Sequence, residues 1–314
     1  DLEYRKGAGP MPTGLDQKPE IKQPLSKGRR LLPVLLLCCG LAAALCLWAV
    51  ASARQSNAGP VPAPPPAPET PPASEPPRPT APPEETVSAA PLYDFSQPAP
   101  EDGEAEEDYF SDAVFLGDSR TDGLRLYSGI RPGGVIYHNG LMVFEAADRE
   151  NKCIKGADGQ KHAVLELLEQ NTYGKVYVMF GVNELGYGDD QAFYDTYGQF
   201  LDQIRQLQPD AVLYLQAIIP VNEEVAKKYD GRAYVTNAKI TEYNTLLRQL
   251  AEEKQVVYLD LASALAGEDG VLPAEGTTDG VHFRREWYQK WYAYLRTHTV
   301  DAQTYWGSLS DPVS

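Results

Sequence analysis

The stretch Val114-Phe115-Leu116-Gly117-Asp118-Ser119-Arg120 decides how this chain is read. Three apolar residues run into Gly-Asp-Ser, and polar residues follow. An apolar run this short between polar flanks reads as a buried strand. Gly117 lets the backbone turn sharply and places Ser119 just past the strand's carboxyl end, where ligands bind in an open α/β sheet. There the hydroxyl can act as a nucleophile if a base reaches it. The competing reading is that Asp118 or Ser119 only caps the helix that follows.

Two further stretches bear on that choice. Thr277-Thr278-Asp279-Gly280-Val281-His282-Phe283 sets an aspartate three residues before a histidine, with a glycine between them. On a tight turn His282 can serve as base while Asp279 fixes its tautomer and orientation. Phe180-Gly181-Val182-Asn183-Glu184 follows an apolar run over 176–180. The Asn183 side-chain amide can donate to a developing oxyanion.

Gly117-Asp118-Ser119, Gly181-x-Asn183 and Asp279-x-x-His282, in that order, resemble the blocks of the SGNH (GDSL) hydrolase superfamily over about residues 112–298. The resemblance implies a flavodoxin-like sandwich and hydrolysis of esters. It implies Ser119 as nucleophile, His282 as base and Asp279 as its partner. The oxyanion donors it implies are the Ser119 backbone N–H, a glycine N–H and Asn183. Gly140, in His138-Asn139-Gly140-Leu141, fits that glycine best, with Gly133 and Gly134 nearby. Arg120 stands where the family more often has leucine, which makes the substrate class harder to infer.

The pattern along the chain gives a fold class of its own. Strands are expected at 114–116, 135–137, 175–180, 211–219 and 256–259. Helices are expected at 120–127, 163–169, over the apolar repeat from Phe193 to Leu207, at 236–254, and around Trp287 to Leu295. The run over 211–219 is apolar nearly throughout, as in a parallel strand covered on both faces. Alternating strands and helices predict an α/β fold with right-handed crossovers. Five strands fit the order 2-1-3-4-5, with Ser119 and Asn183 on adjacent loops at the switch point.

The N-terminal third has a different character. Residues 1–30 carry seven Lys or Arg with Pro and Gly, and read as a disordered basic cytoplasmic tail. Residues 31–53 carry no charge and are long enough to cross a bilayer as a helix. The basic flank puts the N-terminus in the cytoplasm and the rest outside; Ala51-Ser52-Ala53 leaves open a signal cleaved near Ala53, with a secreted product. Residues 54–108 read as a Pro-rich and then acidic linker, because 13 of the 24 residues over 60–83 are proline. The hydrolase domain is expected over 109–314. Cys38, Cys39 and Cys46 fall in the expected span and only Cys153 outside it, so no disulfide is expected in the exported part.

A net charge of −16 argues against nucleic acid as a partner. No His/Cys/carboxylate group has metal-ligand spacing, so neither metal nor cofactor is expected. His138, His162 and His298 read as surface or half-buried residues. Asp118 is expected to bond backbone groups near the nucleophile, and Glu184 and Asp189 to be solvated loop residues, with polar-substrate binding as the rival reading. Most of the aromatics, among them Tyr173, Tyr177, Tyr187, Tyr194, Tyr197, Trp287 and Trp291, are expected in the core or at its rim. The first functional expectation is a membrane-anchored, extracytoplasmic serine esterase acting on short-chain or acetyl esters, with an O-acetylated cell-wall glycan as substrate. The alternatives are an acyltransferase acting on wall sugars and a non-catalytic glycan-binding module on the same fold.

Overall fold

The computed structural model describes residues 92–229 and 232–309. The expected basic tail, apolar span and proline-rich stretch lie outside the described residues.

Strands β1 (Ala113–Gly117), β2 (Gly134–Tyr137), β5 (Lys175–Met179), β6 (Val212–Gln216) and β7 (Val257–Leu259) form one parallel sheet in the order β2-β1-β5-β6-β7. This is the expected 2-1-3-4-5 order, with the switch point between β1 and β5. A small antiparallel pair, β3 (Ile154–Lys155) and β4 (Lys161–His162), lies outside the sheet and was not foreseen. Two residues per strand leave no alternation to read.

Period-two alternation divides the strands between two cores. Val114, Leu116, Val176, Val178, Leu213 and Leu215 pack in one. Their neighbours Phe115, Tyr177, Met179, Val212 and Tyr214 pack in the other. Helices α2 (Val143–Ala146), α3 (Val164–Glu169), α4 (Asp190–Leu207) and α6 (Asn237–Lys254) cover the first face. Helices α1 (Ser119–Tyr127), α7 (Leu261–Leu265), α8 (Arg285–Thr297) and α9 (Ala302–Ser308) cover the second. The result is a three-layer sandwich of flavodoxin-like type. A short α5 (Glu223–Ala226) lies in the connection after β6.

Register makes one feature of the second core. Phe115 faces Tyr177 and Tyr177 faces Tyr214, so the three rings stack at 4.5 and 4.4 Å. Of the aromatics expected in the core or at its rim, Tyr177 and Tyr197 are fully buried, as is Trp291, whereas Tyr187 is exposed.

Strands β1 and β2 run slightly beyond the apolar stretches that announced them, whereas β5, β6 and β7 are shorter, β6 most of all. Past Gln216 the chain leaves the ladder, although residues 217–221 stay buried. Two asparagines take over its backbone groups. Asn244 bonds both the N–H and C=O of Ile218, and Asn237 does the same for Val221. Burial without strand pairing looks the same in sequence as burial within it.

Residues 92–108 are also different from a free linker. Phe95 and Ala99 are buried, and Ala99 N–H donates to the Tyr258 carbonyl at 2.8 Å beside β7. Asp102 and Ala105 N–H groups donate to α8 carbonyls, and Arg296 pairs with Glu104 at 2.7 Å. The acidic side chains over 101–108 do stay exposed, Glu104 included, but their backbone is docked on the domain.

Candidate active site

Ser119 opens α1, directly after β1. Asp118 is the cap: its Oδ1 accepts the Arg120 N–H at 2.8 Å. Asp118 thus does the capping, and Ser119 is left to face the cavity. A side chain at Gly117 would run into Thr121 Oγ1, and would come within 2.8 Å of the Met179 carbonyl on β5. Only a glycine lets the chain turn this close to the next strand.

The expected base, His282, lies on the turn after a 3-10 segment, Ala274–Gly276. Gly280 has φ 86°, in the left-handed region, and a Cβ there would strike the backbone of Ala226. Thr277 Oγ1 donates to the His282 carbonyl at 2.6 Å and accepts the Gly280 N–H at 2.9 Å. Asp279 Oδ1 accepts the N–H groups of Val281 and His282 at 3.0 and 2.8 Å. Its Oδ2 accepts from His282 Nδ1 at 2.8 Å. With Nδ1 donating, Nε2 is the acceptor, and it lies 2.8 Å from Ser119 Oγ. The three expected residues thus form one continuous chain of hydrogen bonds. Burial by itself would raise the Asp279 pKa, but the bonds from His282 and the two N–H groups hold it well below the usual carboxylate range.

Two arginines secure this arrangement, and residue spacing gave no signal for either contact. Arg120 is fully buried and donates from Nε to the Val281 carbonyl at 3.1 Å and from Nη1 to the Ile219 carbonyl at 2.7 Å. It therefore ties the helix that Ser119 opens to the turn carrying His282 and to the chain leaving β6. Its guanidinium carbon lies 4.8 Å from the Phe283 ring centroid, Nη2 has no partner, and burial lowers its pKa to about 10. A leucine here could reach neither carbonyl. Arg232 Nη1 lies 3.0 Å from Asp279 Oδ2 and 2.8 Å from its carbonyl oxygen.

The other side of Ser119 is the loop after β2. Gly140 has φ 79°, its Cα faces open space, and its N–H has no acceptor among the described residues. Gly140, Asn183, Ser119 and His282 line one cavity of about 290 Å3, with Arg232 and Tyr234 at its edge. The Asn183 amide is already engaged, donating to Asp118 Oδ2 at 3.0 Å and to the Leu141 carbonyl at 3.1 Å. Burial raises the Asp118 pKa, against the pull of the nearby Arg120 charge.

Glu184 departs from expectation. It is not a solvated loop residue but is fully buried, its Oε1 accepting the Val143 N–H at 2.6 Å while Oε2 has no partner. Burial pushes its pKa up to about 8. One residue beside a polar loop gives no sequence sign of such burial. Asp189 is exposed and caps α4 through Ala192 N–H at 2.9 Å.

A wider cavity of about 650 Å3 opens on the far side of His282, lined among others by Asp122, Leu126, Tyr127, Arg284 and Arg285. No group of three or more His, Cys, Asp or Glu among the described residues is arranged to hold a metal. Cys153 is half-buried, and burial pushes its thiol pKa up, which disfavours a reactive thiolate.

The geometry agrees with a match that spans most of the folded part. The model of the GDSL-like lipase/acylhydrolase family matches residues 115–290. The chain belongs to this family. No curated protein matches it. Solved structures similar to it include a candidate platelet activating factor from Streptococcus pneumonia, at 22% identity over 59% of this chain and 81% of that one, TM-score 0.47. A GDSL-like lipase from Bacteroides thetaiotaomicron follows at 16%, 63%, 90% and 0.43. An acetyl xylan esterase gives 14%, 63%, 99% and 0.42.

Proposed function

We propose that this chain is a serine ester hydrolase that removes short acyl groups, acetyl foremost, from a glycan outside the membrane to which its N-terminal segment anchors it. The observation that carries the reading is the unbroken relay from Ser119 Oγ through His282 to Asp279, with both links at 2.8 Å. His282 Nε2 takes the Ser119 proton as Oγ attacks the ester carbonyl, and Asp279 stabilises the imidazolium that forms. The carbonyl oxygen gains charge and is met by the N–H groups of Ser119 and Gly140. Asn183 joins them by exchanging its bond to the Leu141 carbonyl for one to the oxyanion. The imidazolium then protonates the leaving alcohol, and water drawn to the same base releases the acid.

The Gly140–Asn183 cavity of about 290 Å3 supports a small acyl group, and the wider one of about 650 Å3 leaves room for a bulky alcohol such as a sugar. The apolar, uncharged stretch 31–53 and the prolines after it support the anchor and spacer. The test is labelling of the full chain with an organophosphonate, read by mass spectrometry. A single adduct on Ser119 and its loss in Ser119→Ala support the reading; labelling elsewhere, or turnover of a short-chain aryl ester by Ser119→Ala, rejects it.

A further inference from the structure

A third hollow adjoins the site. It measures about 430 Å3, and Tyr137, His138, Asn139, Cys153, Lys155 and Lys161 are among its walls. Asn139 also lines both cavities at Ser119, so the three spaces adjoin at one residue.

Two lysines give this hollow its character. Lys155 on β3 is paired in register with Lys161 on β4, which sets their side chains opposite each other on one face of the ribbon. Like charges so placed destabilise a strand pair. Both are exposed, and neither side chain forms an ion pair or hydrogen bond with any described residue. Acids are near in sequence, but they are engaged elsewhere. Asp158 and Glu166 flank His162, each at 3.0 Å, and Glu166 also meets Lys152 at 3.6 Å. In a chain with 44 acidic residues and a net charge of −16, two unneutralised cations facing each other over a cavity form a local positive field against the general trend.

We propose that this hollow is a second substrate subsite, and that it takes an anionic group, carboxylate or phosphate, carried on the glycan next to the esterified unit. The inference rests on the ester-hydrolase reading and names the class of substrate: an acidic, acylated glycan. The ester sits at Ser119, the chain passes Asn139, and the anion meets Lys155 and Lys161. The field of the two ammonium groups also draws a polyanionic chain toward an otherwise repelling surface.

The test uses the full chain in two arms. In the first, kcat/KM is measured on O-acetylated oligogalacturonate and on the neutral O-acetylated xylo-oligosaccharide. The acidic-to-neutral ratio should fall roughly five- to tenfold in Lys155→Gln/Lys161→Gln, as expected for losing two exposed charge contacts, and fall with added salt in the parent. Lys155→Arg/Lys161→Arg should restore it. In the second arm, binding of oligogalacturonate and of oligo(glycerol phosphate) to Ser119→Ala is measured with and without the two Gln substitutions, so that the subsite is read without turnover. Weakened binding of one probe assigns the anion to that source, and of both to either. An unchanged ratio in the first arm, or unchanged binding of both probes in the second, overturns the proposal. Failure of the ester reading is seen separately, as an aryl ester that no Ser119-dependent step consumes.

Discussion

On one side of Ser119, the turn from Asp279 to His282 closes on itself. Asp279 caps the two N–H groups beyond it and holds the imidazole, all within three residues. On the other side, the loop around Gly140 is held from far along the chain. Asn183 grips its Leu141 carbonyl from 42 residues away, and Glu184 grips Val143 from 41. The first side is a local device that tertiary contacts only brace, through Arg120 and Arg232. The second has no fixed shape until β1, β2 and β5 are side by side. A proton relay needs one well-defined distance, which a short turn can set. An oxyanion pocket needs several donors converging on a point, and those come from different strand ends.

Substitutions can break that contrast or sharpen it. The largest effect belongs to the shared element: Ser119→Ala should lower kcat on an aryl acetate by about 10^4-fold or more with no change in melting temperature. Steady-state kinetics with a thermal melt decides, and a loss of stability alone would assign Ser119 to capping. On the local side, Asp279→Asn should cost about 10^3- to 10^4-fold in kcat, because an amide cannot support both the tautomer and the imidazolium. A loss under tenfold would mean that Arg232 and the turn backbone orient His282 without it.

On the assembled side, Asn183→Ala tests whether a side chain that braces a loop also serves the oxyanion. About 10^2- to 10^3-fold lost in kcat at little-changed KM is expected of a donor. A lower melting temperature with kcat within tenfold would make it a brace only.

The smallest effect is on stability and depends on pH. The Glu184 carboxyl goes from 4.5 to about 8 on burial, so the folded state holds the extra proton between those values. Stability must then fall as pH rises from about 4.5 to 8. Glu184→Gln keeps an acceptor for Val143 and removes the titration, so its advantage over the parent should grow across that window to on the order of 2–4 kcal/mol. Denaturant melts at pH 5 and pH 8 measure this, and an equal difference at both would refute a neutral buried Glu184.

The short α2, α7 and α9 escaped, but periodicity and turn residues were enough to give the parallel sheet, its strand order and five of the helices that cover it. Those features repeat over several residues, and each repeat restates the same preference. Two short motifs gave Ser119, Asp279 and His282 and a third gave Asn183, because ester chemistry would use those residue types at strand ends. Also missed in the sequence were the two-residue strands at 154 and 161, the docking of 92–108, the burial of Glu184 and the contacts of Arg120 and Arg232. Each depends on a single neighbour or a backbone bond, and leaves no period to read.

By itself, then, the sequence determined which residues could react and on what scaffold, since hydrophobic spacing and side-chain chemistry are properties of the chain alone. Only the tertiary structure decided that Arg120 reaches two carbonyls, that Asn183 is occupied at both amide hydrogens, and that Lys155 and Lys161 stand together beside the site. Apart from the lysine pair, which one short ribbon sets side by side, those are meetings between residues distant in the chain, and their energies exist only once packing has brought the partners within bonding range.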